Sequence, residues 1–372
     1  IDDPLTDFLF QVRGQRQLAD ELVFVHISDE DIAAHGSWPI TRDFFGYMTY
    51  VLDELGAKTI ALDFLFSEPD DIFPEYDRVL ADFFESSQNV VLPFVFGEFE
   101  IGADSAAPAG LFHGRDRQLP AAKFARHAAG TGFSNLGDET VIRKLPVVAA
   151  FGDSIVLSFG AALAKHYLGF EWHELQGNTL FFTNSANHRL AIRLDEHGRL
   201  RLNHFGTAEK SRHLAFFEML KLFEKQPDSL RPLVENKLVL VAASSSSLPI
   251  LKATPYSAVF PAALIHATLA ENILTDAYLR DVPGSVRVLL IFLMIACALA
   301  FFGATLNKTR IAVFATVLFG YLALVVAAFV VFDFVLPLFF PIAAFTACTA
   351  ILLIATHRAV NQKTRIEKKR LQ

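Results

Sequence analysis

Residues 41–66 read TRDFFGYMTYVLDELGAKTIALDFLF. Thr41 is of the residue type that caps helix N-termini. Arg42–Leu55 follows as an amphipathic helix with Phe45, Met48, Leu52 and Leu55 on one face. Gly56 closes it, since glycine takes the left-handed conformation of a helix end without steric cost. Thr59–Phe66 (TIALDFLF) then reads as a buried strand. Upstream, Leu22–Ser28 (LVFVHIS) reads as another, bounded by Ser28-Asp29-Glu30. Downstream, Ser67-Glu68-Pro69-Asp70-Asp71 ends the strand, Tyr76–Glu85 is helical, and Asn89–Phe96 (NVVLPFVF) is a third strand. Its internal Pro93 points to an edge or a bulge. Strand–helix–strand–helix–strand is the pattern of a parallel sheet with right-handed crossovers.

Beyond that core the pattern predicts a loop over Gly97–Arg117, a short helix over Phe124–Ala129, a strand over Val141–Val148 and a helix over Ser154–Gly169. Thr179–Asn184, Ala191–Leu194 and Leu200–Asn203 read as short antiparallel strands. His213–Lys225 reads as an amphipathic helix, Lys237–Ala242 as a last buried strand, and Pro261–Asn272 as the helix leading onward. The fold class is α/β: a mainly parallel sheet flanked by helices, with a smaller antiparallel region.

The last fifth of the chain is different. Val288–Asn307, Ile311–Phe332 and Phe334–Thr356 are uncharged runs separated by Lys308, Arg310 and Asp333. Each is roughly the 20 residues a helix needs to cross the hydrocarbon core. Three transmembrane helices are expected, at about 288–306, 311–331 and 337–356. Pro337 and Pro341 set the third helix to begin around Leu338–Pro341. Basic residues stay on the cytoplasmic side. Lys308 and Arg310 in the first connection, with Arg358, Lys363, Arg365, Lys368, Lys369 and Arg370 in the tail, therefore place the head outside. The expected layout is a lead-in over 1–20, an extracytoplasmic sensor domain over 21–280, an anchor over 286–356 and a cytoplasmic linker helix from 357 to 372. An upstream hydrophobic segment is expected to deliver the head.

Net charge is −7, and basic residues cluster only in the tail, so no nucleic-acid partner is expected. Cys297 and Cys348 both lie in the apolar runs, which leaves the head without a disulfide.

Parallel sheets bind ligands at the carboxyl ends of their strands. Asp29 and Glu30 follow the first strand, Asp63 sits in the second with Glu68 after it, and Ser244–Ser247 follow the last. Asp29, Glu30, Arg42, Asp63, Glu68, Ser244 and Ser245 are accordingly the ligand-binding candidates. The competing reading of Asp63 is a buried carboxylate satisfied by backbone donors or by Arg42. The pairs His204/His213 and His26/His35 lack metal-ligand spacing with acidic or cysteine partners. No Gly-x-Ser-x-Gly, His-Glu-x-x-His or Gly-rich phosphate loop occurs. No catalytic residue and no metal site is expected.

The ordered set of motifs resembles the type-two CHASE domain (cyclases/histidine kinases associated sensory extracellular). It is carried by Val23–Asp29, Gly36, Trp38-Pro39, Arg42, Leu55–Lys58, Ile60–Pro69, Asp77 and Leu80. A second block holds Gly132-Phe133-Ser134-Asn135, Asp138, Val141, Arg143 and Pro146. Asn203–Gly206, Lys237–Val241, Thr254-Pro255, Pro261 and His266-Ala267 complete it. The family usually carries glycine after the last strand and Pro-Gly before the final helix, where this chain has Ala242–Ser247 and Pro261-Ala262.

The resemblance implies a sensor in the inner membrane of a bacterium, multi-pass, with its head in the periplasm and its tail in the cytoplasm. It implies a cytoplasmic output domain, of which a class III adenylate or guanylate cyclase after Gln372 is the first expectation. Lys363–Gln372 (KTRIEKKRLQ) looks like the short helix that leads into such a domain. ATP with Mg or Mn belongs only to that output domain, and no cofactor is expected in these residues. The implied partners are the lipid bilayer, a second copy in a homodimer and an unidentified extracytoplasmic ligand. The alternatives are a histidine kinase, serine/threonine kinase or diguanylate cyclase output, a ligand-free dimerisation scaffold, or a tethered hydrolase.

Overall fold

The helix and strand of residues 41–66 form as their pattern dictates. Gly56 takes φ +82°, and the Ala57 N–H donates back to the Leu52 carbonyl at 2.9 Å, so the chain turns from helix into strand within a few residues. The computed structural model describes residues 2–35, 38–102, 110–244, 251–301 and 308–370. They divide into two units, one spanning Gly14–Tyr278 and the other joining the N-terminal helix to the chain from Leu279 onward.

In chain order the elements are α1 (Asp2–Arg13), β1 (Leu22–Ile27), α2 (Asp29–His35), α3 (Arg42–Glu54), β2 (Thr59–Leu62), α4 (Pro74–Ser87), β3 (Val90–Ile101), β4 (Phe112–Gln118), α5 (Ala122–Ala125) and β5 (Gly130–Phe133). Then come β6 (Lys144–Pro146), β7 (Val148–Phe151), β8 (Ser154–Leu157), α6 (Phe159–Tyr167), β9 (Trp172–Gln176), β10 (Thr179–Thr183), β11 (Arg189–Arg193) and β12 (Arg199–Arg201). The first unit closes with β13 (His213–Ala215), α7 (Phe216–Lys225), α8 (Pro227–Val234), β14 (Leu238–Ala243) and α9 (Ala262–Leu274).

A nine-stranded sheet runs β13-β1-β14-β2-β3-β4-β7-β8, with β5 also paired to β3. The strands β13, β1, β14, β2, β3 and β5 run parallel to one another, and β4 pairs antiparallel with β3. Side chains alternate between two faces. Val23, Val25, Ile27, Ile60, Leu62, Val239 and Val241 pack with α3, α4, α7 and α8. Leu22, Phe24, Ala61, Leu238, Leu240 and Ala242 pack with α6 and α9. Burial on both faces explains why these strands read as unbroken apolar runs. Each large side chain so buried contributes about 1.5–3 kcal/mol. A separate antiparallel sheet, β11-β10-β9, forms the smaller region.

Several local expectations are corrected. Ser154–Gly169 is a strand followed by a helix: β8 pairs antiparallel with β7 across the Gly152 turn, and α6 starts after Ser158. His213–Lys225 likewise opens with β13, which pairs with β1 before α7 begins. The loop expected over Gly97–Arg117 instead extends β3 to Ile101 and returns as β4, while residues 103–109 lie outside the described residues. Pro93 sits inside β3, in register with Gly132. The Asn89 carbonyl faces β2 and the Phe94 carbonyl faces the β5 segment. Strand parity turns the nitrogen of Pro93 toward β2, and the β2–β3 ladder ends just before it, at Ala61 and Val91.

The second unit contains α1, α10 (Gly284–Phe301), α11 (Lys308–Phe332) and α12 (Phe339–Arg370). Phe10 of α1 meets Phe329 of α11 edge to face at 5.1 Å. Among the described residues two helical stretches, Arg310–Phe332 and Phe339–Glu367, are long and apolar enough to cross a membrane. The expected three-helix anchor is corrected on this point. Gly284–Ala300 is apolar but shorter, its first turn holds Arg287, and residues 302–307 lie outside the described residues. The helix α12 starts at Phe339, with Pro341 in its first turn.

Candidate functional site

The carboxyl ends of β1 and β14 meet at a cavity of about 310 Å³. Phe24 and His26 on β1 line it, with Ser211 and His213 from the β13 side and Ser244 after β14. Ala208, Leu251, Val259 and Pro261 make much of the wall apolar, and Glu209 adds an acid. Residues 24 and 26 share a face because a strand repeats every two residues. His26 Nδ1 and Ser244 Oγ share a hydrogen bond of 3.0 Å, and the Ser244 N–H donates to the Ile27 carbonyl at 3.0 Å. The His26 and His213 rings stand edge to face at 5.5 Å. Burial pushes the His26 pKa down, the neighbouring His213 adds to this, and Asp31 opposes it. His26 is thus a neutral imidazole at pH 7, able to donate at one ring nitrogen and accept at the other. An apolar cavity with a few convergent polar groups is the form of a small-molecule site.

The other candidates are distributed around the sheet. Ser245 lies outside the described residues. Asp29 and Glu30 open α2 with exposed side chains. Ser28 caps the helix by accepting from the Asp31 N–H at 3.1 Å, and the Asp31 carboxylate accepts in return from the Ser28 N–H and hydroxyl, both at 2.9 Å. Asp63 follows β2 on the same face as His26, and its N–H donates to the Val241 carbonyl at 2.9 Å. Strand β14 lies between the two, so they are roughly 10 Å apart by strand spacing. Asp63 is not among the residues lining the cavity. Its carboxyl makes no hydrogen bond or ion pair with the described residues. Burial pushes its pKa up to about 6, although its outer edge still meets solvent.

Arg42 is engaged elsewhere. It pairs with Asp77, donates to the Glu68 carbonyl at 2.6 Å, and lies over the Phe66 and Phe124 rings at 5.7 and 5.6 Å. Lys123 pairs with the second Asp77 oxygen, which also accepts from the Asp70 N–H at 2.9 Å. Burial opposes ionisation of Asp77, but the donors Lys123, Asp70 and Arg42 outweigh it and hold its carboxyl below the usual range. Glu68 contributes its carbonyl to this cluster, and its side chain is exposed.

The structure brings Ser244 to His26 and His213, and it brings Arg42 to Asp77. The histidine pair was not legible, because His213 stands on a three-residue strand hidden at the start of a helix. The usable signal was the parity of His26 with Phe24 on a strand with both faces buried. The described residues contain no group of three or more His, Cys, Asp or Glu that could hold a metal ion.

The CHASE2 domain model matches residues 1–302. The chain belongs to the CHASE2 family. No curated protein and no solved structure matches it. CHASE2 domains are extracytoplasmic sensory domains typical of signalling receptors. Within this CHASE2 domain, the motif residues of the second block build the frame around the sheet. A Cβ on Gly132 would fall 2.7 Å from the Phe159 Cα and the Ser158 carbonyl, so only glycine lets β5 pass the start of α6. The Asn135 amide accepts from the Phe96 N–H at 2.9 Å and donates to its carbonyl at 3.0 Å, extending the β5 ladder by one side chain. His266 Nε2 bonds the Ser134 carbonyl at 3.2 Å, and burial drives its pKa down to about 4 against that bond. Together these residues shape one framework.

Proposed function

We propose that the chain is the sensory and membrane-anchoring region of a receptor. Its first unit recognises a small extracytoplasmic molecule at the His26–Ser244 cavity. Its apolar helices cross the inner membrane of a bacterium, and it regulates a cytoplasmic class III adenylate or guanylate cyclase domain after Gln372. The CHASE2 match over residues 1–302 carries this reading. The two long apolar helices support the anchoring. The basic tail Lys363–Arg370 supports the orientation, since positive charge stays on the cytoplasmic side. Catalysis by a class III cyclase takes place between two copies of its domain, so the working unit is a homodimer. A ligand would act by shifting the balance between two arrangements of head and helices.

Two experiments test this. The reading frame beyond Gln372 is expected to encode a class III cyclase domain; any other output overturns that part. For topology, Cys297 and Cys348 are replaced by alanine and a cysteine is placed at exposed Ser86. An impermeant thiol reagent is expected to label it in intact cells. Labelling only after lysis would place the head in the cytoplasm and refute the receptor reading.

A further inference from the structure

A second cleft, of about 270 Å³, lies between the β5 and β8 strands and the helix α6. It is remote from His26 and Ser244 in the strand order, on the β3–β5 side of the sheet. Arg117, Lys165, His166 and His173 line it, with Phe94 and Phe170 among its apolar walls. No Asp or Glu lines it, in a chain whose net charge is −7.

Ring contacts and hydrogen bonds hold Arg117, His166 and His173 in place. The Arg117 guanidinium lies over Phe151 at 4.3 Å and Phe94 at 5.7 Å, and it forms no ion pair with the described residues. The Lys165 side chain has no hydrogen bond or ion pair with the described residues. Burial lowers its pKa, and Glu171 opposes this only through a longer-range attraction. The His166 ring is fixed by a 2.9 Å bond between Nδ1 and Thr59 Oγ1, and the His173 ring by a 3.2 Å bond from Nε2 to the Ile155 carbonyl. Burial pushes both histidines down, and the charge of Lys165 adds to this in each. Arg117 stays exposed to solvent, whereas the half-buried Lys165 is drawn from water without a close counter-charge, which is costly. A bound anion removes that cost. Two rings and an aliphatic wall beside the cations leave room for an apolar body, and the cleft is at the small end of ligand-site sizes.

We infer that this cleft binds a small organic anion, a carboxylate carried on an apolar body. Lys165 and Arg117 meet the carboxylate, and Phe94 and Phe170 flank the body. The inference is independent of the His26–Ser244 cavity and of the output domain.

The test is calorimetric titration of the full chain in lipid nanodiscs with phenylacetate, its neutral counterpart phenylacetamide, and inorganic phosphate. Phenylacetate is expected to bind, and the amide at least about tenfold more weakly. Lys165→Met is expected to weaken phenylacetate at least about tenfold without lowering the melting temperature of the free protein. Arg117→Gln, on an exposed strand position, is a second variant that leaves the fold intact and is expected to weaken binding in the same direction. No binding of phenylacetate at about 10 mM, equal binding of the amide, or wild-type binding by both variants overturns the site. Phosphate bound in preference to phenylacetate overturns its assignment to an organic carboxylate.

Discussion

Asp77 and Asp63 are both withdrawn carboxylates of the same α/β unit, and the fold treats them in opposite ways. Asp77 is 1% exposed and receives Arg42, Lys123 and the Asp70 N–H. Asp63, at the carboxyl end of β2, has burial alone acting on its carboxyl. The first is held ionised and ties α3, α4 and α5 together. The second is held toward its neutral form. Burial by itself therefore does not say what a carboxylate does; the donors around it decide. A withdrawn group without donors at the carboxyl end of a parallel strand is the one available to something outside the fold.

The contrast can be broken most severely at Asp77. Replacing it with alanine strands two cations, and the cost is expected to be about 3 kcal/mol, read by chemical denaturation of the full chain in detergent. Because its folded pKa is depressed, its contribution is complete above about pH 4. That contribution is lost as pH falls through the lowered folded value. Asp63 has the opposite sign. Its folded pKa of about 6 lies above the ordinary 3.8, so the native state loses stability as pH rises between those values. Asp63→Asn is expected to stabilise the protein by about 2 kcal/mol at pH 8. At pH 4 it should do much less; equal melting shifts at the two pH values would show that charge is not the cause. Arg42→Lys keeps the charge on Asp77 but gives up the planar fork that also reaches the Glu68 carbonyl and lies over two rings. It is expected to cost about 1–2 kcal/mol, seen as a lower denaturation midpoint. Smallest is Glu68→Ala. Only the carbonyl of Glu68 is used, so the midpoint should move by less than about 0.5 kcal/mol.

The parallel core was legible because its strands are apolar on both faces and each helix between them has its own periodicity. Leu22–Ile27 and Leu238–Ala243 lie almost where their apolar runs do. Ser154–Tyr167 was not legible as strand plus helix, since SIVLSFGAALAKHY is apolar almost throughout and composition does not mark the change. The strand at His213–Ala215 is three residues long, and the helix after it masks it. The candidate site followed the same division. Ser244 was found from its place after a buried strand. His26 was not, since its partner His213 is 187 positions away on the hidden strand. Arg42 and Asp77 were each noticed, but a contact across 35 residues leaves no local trace.

The helix α12 runs from Phe339 to Arg370 without interruption, although its apolar character fades after Thr356. A rod of 1.5 Å per residue spans roughly 45 Å over that length. No glycine or proline after Pro341 provides a joint. A twist or shift applied near Phe339 is thus delivered at Arg370 with little loss, as along a drive shaft, and nothing in between has to refold to pass it on.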